Sequence, residues 1–321
     1  MSRAGAHAGR LHPEEQFVFA MVFALMAGFV VVVTMAAVRS PVNSLLAGGA
    51  AAASSPTVTA GSGGALHQAR GTIASSPVVQ AASPRLNARL AAGIGPVLGA
   101  HRGPVAVGVI DEATGQEALY APTQRFSSGS IITTDLLAAL LIRQEHAGTP
   151  VTSAQAVQAT AMMKHGSAAA ATILWRDIGG RNGLAAANRL LQLSQTTPGT
   201  GDQWDQAKTT VADQLQLLID LTSSRSPLTA AGRAYVLRVI GDLAPTPRWG
   251  VSAAGAGTVV QDTWLPAGTL WVANSVGVVR RVGHTLLVVV LSSGNPSRAA
   301  GAAATSAVAV AAADVMTSAW R

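Results

Sequence analysis

Ser130-Ile131-Ile132-Thr133-Thr134-Asp135-Leu136-Leu137-Ala138-Ala139-Leu140-Leu141 is the stretch from which the rest of the chain is read. Ile131, Ile132, Leu136, Leu137, Leu140 and Leu141 recur at helical spacing and predict a helix over 130–146 with these residues toward the core. Upstream, 105–110 is a short apolar strand, Ala113-Thr114-Gly115 marks a turn, and 117–121 returns, which predicts a hairpin. Residues 86–98 have helical spacing and end near Gly99. Downstream, 151–240 reads as mostly helical. Strand-like runs at 249–252, 258–264, 270–279 and 285–291 follow, separated by Gly and Pro, and 298–320 is an Ala-rich helix. The order is helix, hairpin, helical block, several strands, helix. Hairpin-like connections among the late strands imply an antiparallel sheet, hence an α/β (α+β) fold: a sheet flanked by helices, with an all-helical lobe inserted.

Composition narrows the function classes. Of 321 residues 49% are hydrophobic and 12% charged, ample for a core and low enough in charge to assign some apolar residues to lipid. The net charge of +7 is nearly all arginine. These arginines are scattered and aromatics make up only 4%, so a mildly basic solvated surface is expected and no nucleic-acid partner. The absence of cysteine removes disulfides, thiolate nucleophiles and cysteine zinc sites. His101, His146, His165 and His284 show no paired ligand spacing, so no metal and no cofactor are expected. The bias toward Ala, Gly, Val and Arg over Lys points to a GC-rich genome, as in an actinobacterium.

Residues 16–38 carry no charge over 23 positions. As a helix they reach roughly 35 Å, enough to cross a hydrocarbon core of about 30 Å. A cleaved signal peptide has a shorter apolar core, although Ala36 and Ala37 leave that outcome open. Arg3 and Arg10 before the segment, against Arg39 after it, favour a cytoplasmic 1–15. The expectation is a single-pass protein of the cell membrane, held in the lipid bilayer by one transmembrane helix at 16–38, with its C-terminal domain extracytoplasmic. Residues 39–85, rich in Ala, Ser, Gly and Pro, read as a flexible linker, and 86–321 as the folded domain.

Several strings share the order found in a known superfamily. They are Val107-Gly108-Val109-Ile110-Asp111 with the Thr114-Gly115 turn, the Ser130 stretch, Ala170-Ala171-Thr172 with Trp175 and Gly179-Gly180, and Thr209-Thr210 with Asp213-Gln214-Leu215. Arg248-Trp249-Gly250-Val251 and Asn274-Ser275-Val276-Gly277 complete the set. Over about 86–320 the chain resembles the serine β-lactamases and penicillin-binding proteins, especially small exported serine hydrolase-like domains of actinobacteria.

The resemblance implies acyl transfer by a serine at the start of a helix, with a lysine in Ser-x-x-Lys helping to take its proton. Ser130 stands at the serine position and Thr133 at the lysine position, where threonine is no base near neutral pH. The second motif, Ser-x-Asn, falls on Gly166, Ser167 and Ala168, with both polar anchors missing. The third, Lys-Thr-Gly, falls on Gln261, Asp262 and Thr263, so the substrate-attracting cation and the tight glycine are both replaced. The chain's only lysines, Lys164 and Lys208, stand at neither lysine position, and no glutamate follows Glu145. Asp202 and Asp205 are the carboxylates left in the loop where a deacylating group would sit.

Two routes could restore chemistry. Lys164 or His165, beside the second motif, could serve as a relocated base. A set drawn from Ser130, His165 or His284, and Asp135 or Asp262 is a further combination, although no Gly-x-Ser-x-Gly elbow accompanies it. Trp175, Trp204, Trp249, Trp264 and Trp271 read as core or cleft-lining residues, and Arg280-Arg281 as a surface hairpin cap. The leading expectation is a catalytically inactive, membrane-anchored pseudoenzyme that binds peptidoglycan or an envelope protein, or scaffolds. The alternatives are an active serine hydrolase with Ser130 as nucleophile, and a structural spacer.

Overall fold

The computed structural model describes residues 83–101, 103–241 and 249–318. The expected transmembrane helix at 16–38 and the linker as far as residue 82 lie outside the described residues. Helix α1 (Pro84–Ala100) begins slightly before the expected domain boundary, on a proline whose missing N–H costs nothing in a first turn.

Strands β1 (Val105–Asp111) and β2 (Glu117–Tyr120) form the expected hairpin. A two-residue strand β3 (Phe126–Ser127) leads into a 3-10 turn, Gly129–Ile131, and helix α2 (Ile132–His146). The helical lobe continues through α3 (Ser153–His165), α4 (Ala168–Asp177), α5 (Gly180–Leu190), α6 (Val211–Thr222) and α7 (Ala230–Gly241). A short strand β4 (Lys208–Thr209) precedes α6 and pairs with β3. Three twelve-residue strands follow, β5 (Ala256–Ala267), β6 (Leu270–Arg281) and β7 (His284–Asn295), and the described chain closes with α8 (Arg298–Ser318). The main sheet has the order β2-β1-β7-β6-β5, antiparallel throughout.

Both faces of this sheet are covered, which is why its central strands read as continuous apolar runs. Val105, Val107 and Val109 of β1, with Leu286, Val288 and Val290 of β7, face α1 and α8, where Leu90, Ile94, Val308, Ala312 and Met316 are buried. The alternate residues Ala106, Ile110, Leu287, Val289 and Leu291 face the lobe and meet Leu136, Leu140 and Leu215. α8 is long and apolar enough to cross a membrane, but here it packs as a core helix on the sheet.

Two expectations change. One face of α2 was expected to be apolar, yet 132–142 is buried on all sides, including Thr133, Thr134 and Asp135. A helix enclosed all round is the central post of a lobe, not a surface element. Residues 249–252 were expected as a strand, but Gly250–Ala254 is a 3-10 turn. Gly250 has φ +61°, and a Cβ there would lie 2.1 Å from the Ser275 hydroxyl, so the chain must bend tightly over β6 at this point.

Candidate functional site

Ser130 is delivered by the 3-10 turn between the β3–β4 ribbon and α2. The ribbon is anchored from both sides. Ser128 bonds the Ala207 carbonyl through its N–H and its hydroxyl, each at 2.9 Å. Asn274 of β6, fully buried, donates to the carbonyls of Ser127 and Ser128 at 2.9 and 3.2 Å. Gly129 then turns the chain at φ +56°. A Cβ at this position would lie 2.7 Å from the Thr263 hydroxyl, so the approach to β5 requires glycine.

The structure brings Ser130, Thr133, Gln261 and Thr263 together. Thr133 Oγ1 donates to the Ser130 carbonyl at 2.7 Å. Gln261 donates through Nε2 to the same carbonyl at 3.3 Å and to Thr133 Oγ1 at 3.1 Å. The two positions that the resemblance assigns to lysines are therefore hydrogen-bonded to each other as neutral groups. Thr263, at the glycine position and 5% exposed, accepts the Ser130 N–H on its Oγ1 at 3.1 Å. The Ser130 hydroxyl donates to the main-chain carbonyl of Asp262 at 3.3 Å.

An acylating serine needs a group that takes its proton and a donor aimed where the oxyanion forms. Here the hydroxyl proton rests on an amide carbonyl, which is not a base at any ordinary pH. The Ser130 N–H is likewise engaged, bonded to a Thr263 hydroxyl that a glycine would not supply.

Asp262 lies next to this cluster in sequence and on the opposite face of the sheet in space. It pairs across the strands with Ser275, whose hydroxyl donates to Asp262 Oδ1 at 2.5 Å while accepting the Val251 N–H at 2.8 Å. Asp262 Oδ2 is buried without a hydrogen-bond partner. Burial pushes this carboxyl up to about 7, and the Ser275 bond opposes the rise.

The hydrogen bonds of Ser130 described above involve none of the other expected side chains. Lys164 and His165 end α3, Gly166 is its left-handed C-cap, and Ser167 caps α4 by accepting the Ala170 N–H. None of Ser130's hydrogen bonds reaches Lys164 or His165. The Ser-His-Asp combinations are not assembled either. His284 Nδ1 lies 2.8 Å from Asp111 Oδ2 at the far end of β1, and Asp135 turns into the lobe. Asp202 is held by Arg176, and Asp205 is exposed in the 3-10 turn Trp204–Gln206, which packs beside the Ser130 turn without a hydrogen bond between Asp205 and Ser130 among the described residues.

Sequence reasoning missed a buried polar chain behind α2. Gln214 donates to Asp135 at 3.3 Å and to Thr209 Oγ1 at 3.1 Å. Thr209 meets Thr196 at 2.9 Å, and Thr196 donates to Asp213 at 2.7 Å. Burial pushes Asp135 up to about 7, with the Gln214 bond working against the rise and the Asp213 charge adding to it. The signal in the sequence was an acid inside an otherwise apolar stretch, which buried polar pairing explains.

Solved structures similar to this chain are serine β-lactamases. A β-lactamase from Xanthomonas campestris is 20% identical with a TM-score of 0.62, covering 72% of this chain and 98% of its own. A class A representative from Bacteroides cellulosilyticus is 13% identical with a TM-score of 0.62, covering 73% and 99%. A β-lactamase from Burkholderia vietnamiensis is 19% identical with a TM-score of 0.61, covering 71% and 96%. No family model and no curated protein matches. The described domain has the serine β-lactamase fold.

Proposed function

We propose that the protein is a membrane-anchored, extracytoplasmic β-lactamase-like domain without hydrolase activity, acting as a binding or scaffold module of the cell envelope. One observation carries this reading: the positions that would supply base, cation and open glycine are occupied by Thr133, Gln261 and Thr263, which bond to each other or to Ser130. Loss of a general base alone costs about 10²–10⁴ in rate, and here the substrate-positioning groups are changed with it. The charge-free 16–38 segment supports anchoring in the bilayer, and the envelope is where a tethered outward-facing domain meets peptidoglycan or an envelope protein.

The test is covalent labelling of the purified protein with a fluorescent penicillin and with a fluorophosphonate, read by intact mass. No adduct is expected. A stoichiometric adduct that disappears in Ser130→Ala overturns the reading and establishes the active hydrolase, with Lys164→Ala and His165→Ala then locating its base. Membrane fractionation with alkaline extraction tests the anchor: the protein is expected in the pellet, and release into the supernatant counts against it.

A further inference from the structure

Strands β5 and β6 pair through the rungs Asp262↔Ser275, Trp264↔Ala273 and Pro266↔Trp271. Residues opposite one another share a face, as do alternate residues along a strand. Trp264, Pro266 and Trp271 therefore lie on the face of Asp262, the one turned toward α8, where Gly301 packs against Ala273. Trp249, buried, stacks on Trp264 with ring centroids 4.4 Å apart and planes 18° from parallel, yet Trp264 remains 38% exposed. Trp264 and Trp271 are diagonal neighbours, roughly 7–8 Å apart. Over the Trp271 ring, at 4.6 Å, lies the guanidinium of Arg298, the first residue of α8. Arg298 is exposed and makes no hydrogen bond or ion pair among the described residues.

A part-exposed indole already fixed by a buried partner loses little freedom when something covers it. Tryptophan and arginine are also the residue types that most often carry interface energy. The arginine, seated over its indole, has guanidinium N–H groups that can meet a carboxylate.

We propose that this strip binds a sugar-peptide conjugate: a pyranose ring lays its C–H face on Trp264, and a free carboxylate of the attached peptide reaches Arg298. A muropeptide unit has this chemistry, and the proposal rests on the envelope-binding reading above. A nucleic-acid strand carries a phosphate at every step and calls for a cation at each, whereas the strip presents Arg298.

The test uses the full chain in detergent micelles. A soluble disaccharide-tetrapeptide muropeptide and a neutral N-acetylglucosamine tetramer are titrated by calorimetry, and co-sedimentation with insoluble peptidoglycan is measured in parallel. Trp264→Ala is expected to weaken both soluble ligands by about tenfold or more. Arg298→Gln is expected to weaken only the muropeptide, with circular dichroism unchanged in both variants. Wild-type binding that neither substitution alters overturns the strip, as does tighter binding of a single-stranded oligonucleotide. If the wild type sediments with peptidoglycan and both variants do so equally, the strip is wrong and the envelope reading stands. If the wild type does not sediment, the envelope reading fails with it.

Discussion

The two faces of β5 carry opposite solutions to the same problem of polar groups beside a core. Toward α2, Gln261 and Thr263 are neutral and spend their hydrogen bonds on Ser130 and Thr133. Toward α8, Asp262 keeps an ionisable carboxyl with one oxygen unpartnered, beside an aromatic strip that is part open. On the face that carries Ser130, the neighbouring side chains spend their hydrogen bonds on one another. The face toward α8 retains a titrating group and a part-exposed indole.

The comparison breaks most visibly if the Ser130 face can be made to react. The variant Thr133→Lys/Gln261→Lys/Thr263→Gly returns a base one turn from Ser130, a cation beside it, and frees the Ser130 N–H. Its acylation by a fluorescent penicillin is expected to exceed wild type by about 10²–10⁴, measured by stopped labelling and intact mass. If the triple variant labels no faster than wild type, these three positions do not govern the reactivity of Ser130.

The opposite face is probed by pH. Burial holds Asp262, Asp135 and Asp220 each at about 7, above the ordinary value of 3.8. Between those limits the folded protein holds protons that the unfolded chain releases, so stability falls as pH rises from about 4 to 7 and levels off above. Asp262→Asn removes one of these contributions, and the amide keeps an oxygen for Ser275. The variant is therefore expected to be more stable than wild type at pH 8, by on the order of 2 kcal/mol, and to lose that advantage by pH 4. Urea unfolding across pH 4–8 reads this directly, and parallel pH profiles for the two proteins would sink the assignment.

A smaller effect separates a plug from a bystander. Thr263→Ala leaves the Ser130 N–H without its acceptor and is expected to cost about 1–2 kcal/mol, read by urea unfolding at pH 5, where Asp262 stays protonated in the folded state. Thr263→Ser keeps the oxygen and is expected to recover most of that loss. If alanine and serine destabilise equally, the hydrogen bond is not what the threonine provides.

Much of this architecture is legible in the sequence. β1 and β7 show themselves as apolar runs because both their faces are buried, and α1, the hairpin and α8 follow from spacing and punctuation. The grouping of Ser130, Thr133, Gln261 and Thr263 was legible too, since the resemblance placed all four around one cleft and the structure brings them together. Direction was not. Whether Gln261 or Asp262 faces Ser130 depends on the pleat and on a bulge between Val259 and Gln261, which alternation alone cannot fix. Asp135 looked available as a catalytic acid because its partner, Gln214, is 79 residues away. The β3–β4 ribbon is too short for any periodic signal, and Trp249 read like Trp264 although only one of the pair reaches solvent.

The smallest expected effect is the most telling. In a working acyl-transfer site Ser130→Ala abolishes the function. Here the hydroxyl makes one 3.3 Å bond to the Asp262 carbonyl, at a half-buried position where water can replace it. The N–H that Thr263 caps survives the substitution, as do the carbonyl that Thr133 and Gln261 hold and the glycine turn before it. Ser130→Ala is therefore expected to change unfolding free energy by less than about 0.5 kcal/mol and to leave co-sedimentation with peptidoglycan unchanged, while Thr263→Ala destabilises measurably one strand away. A serine whose removal matters less than that of the threonine covering it is a structural residue in an inherited position. If instead Ser130→Ala erases binding while the fold persists, the Ser130 face is the functional one and the contrast between the two sides of β5 is reversed.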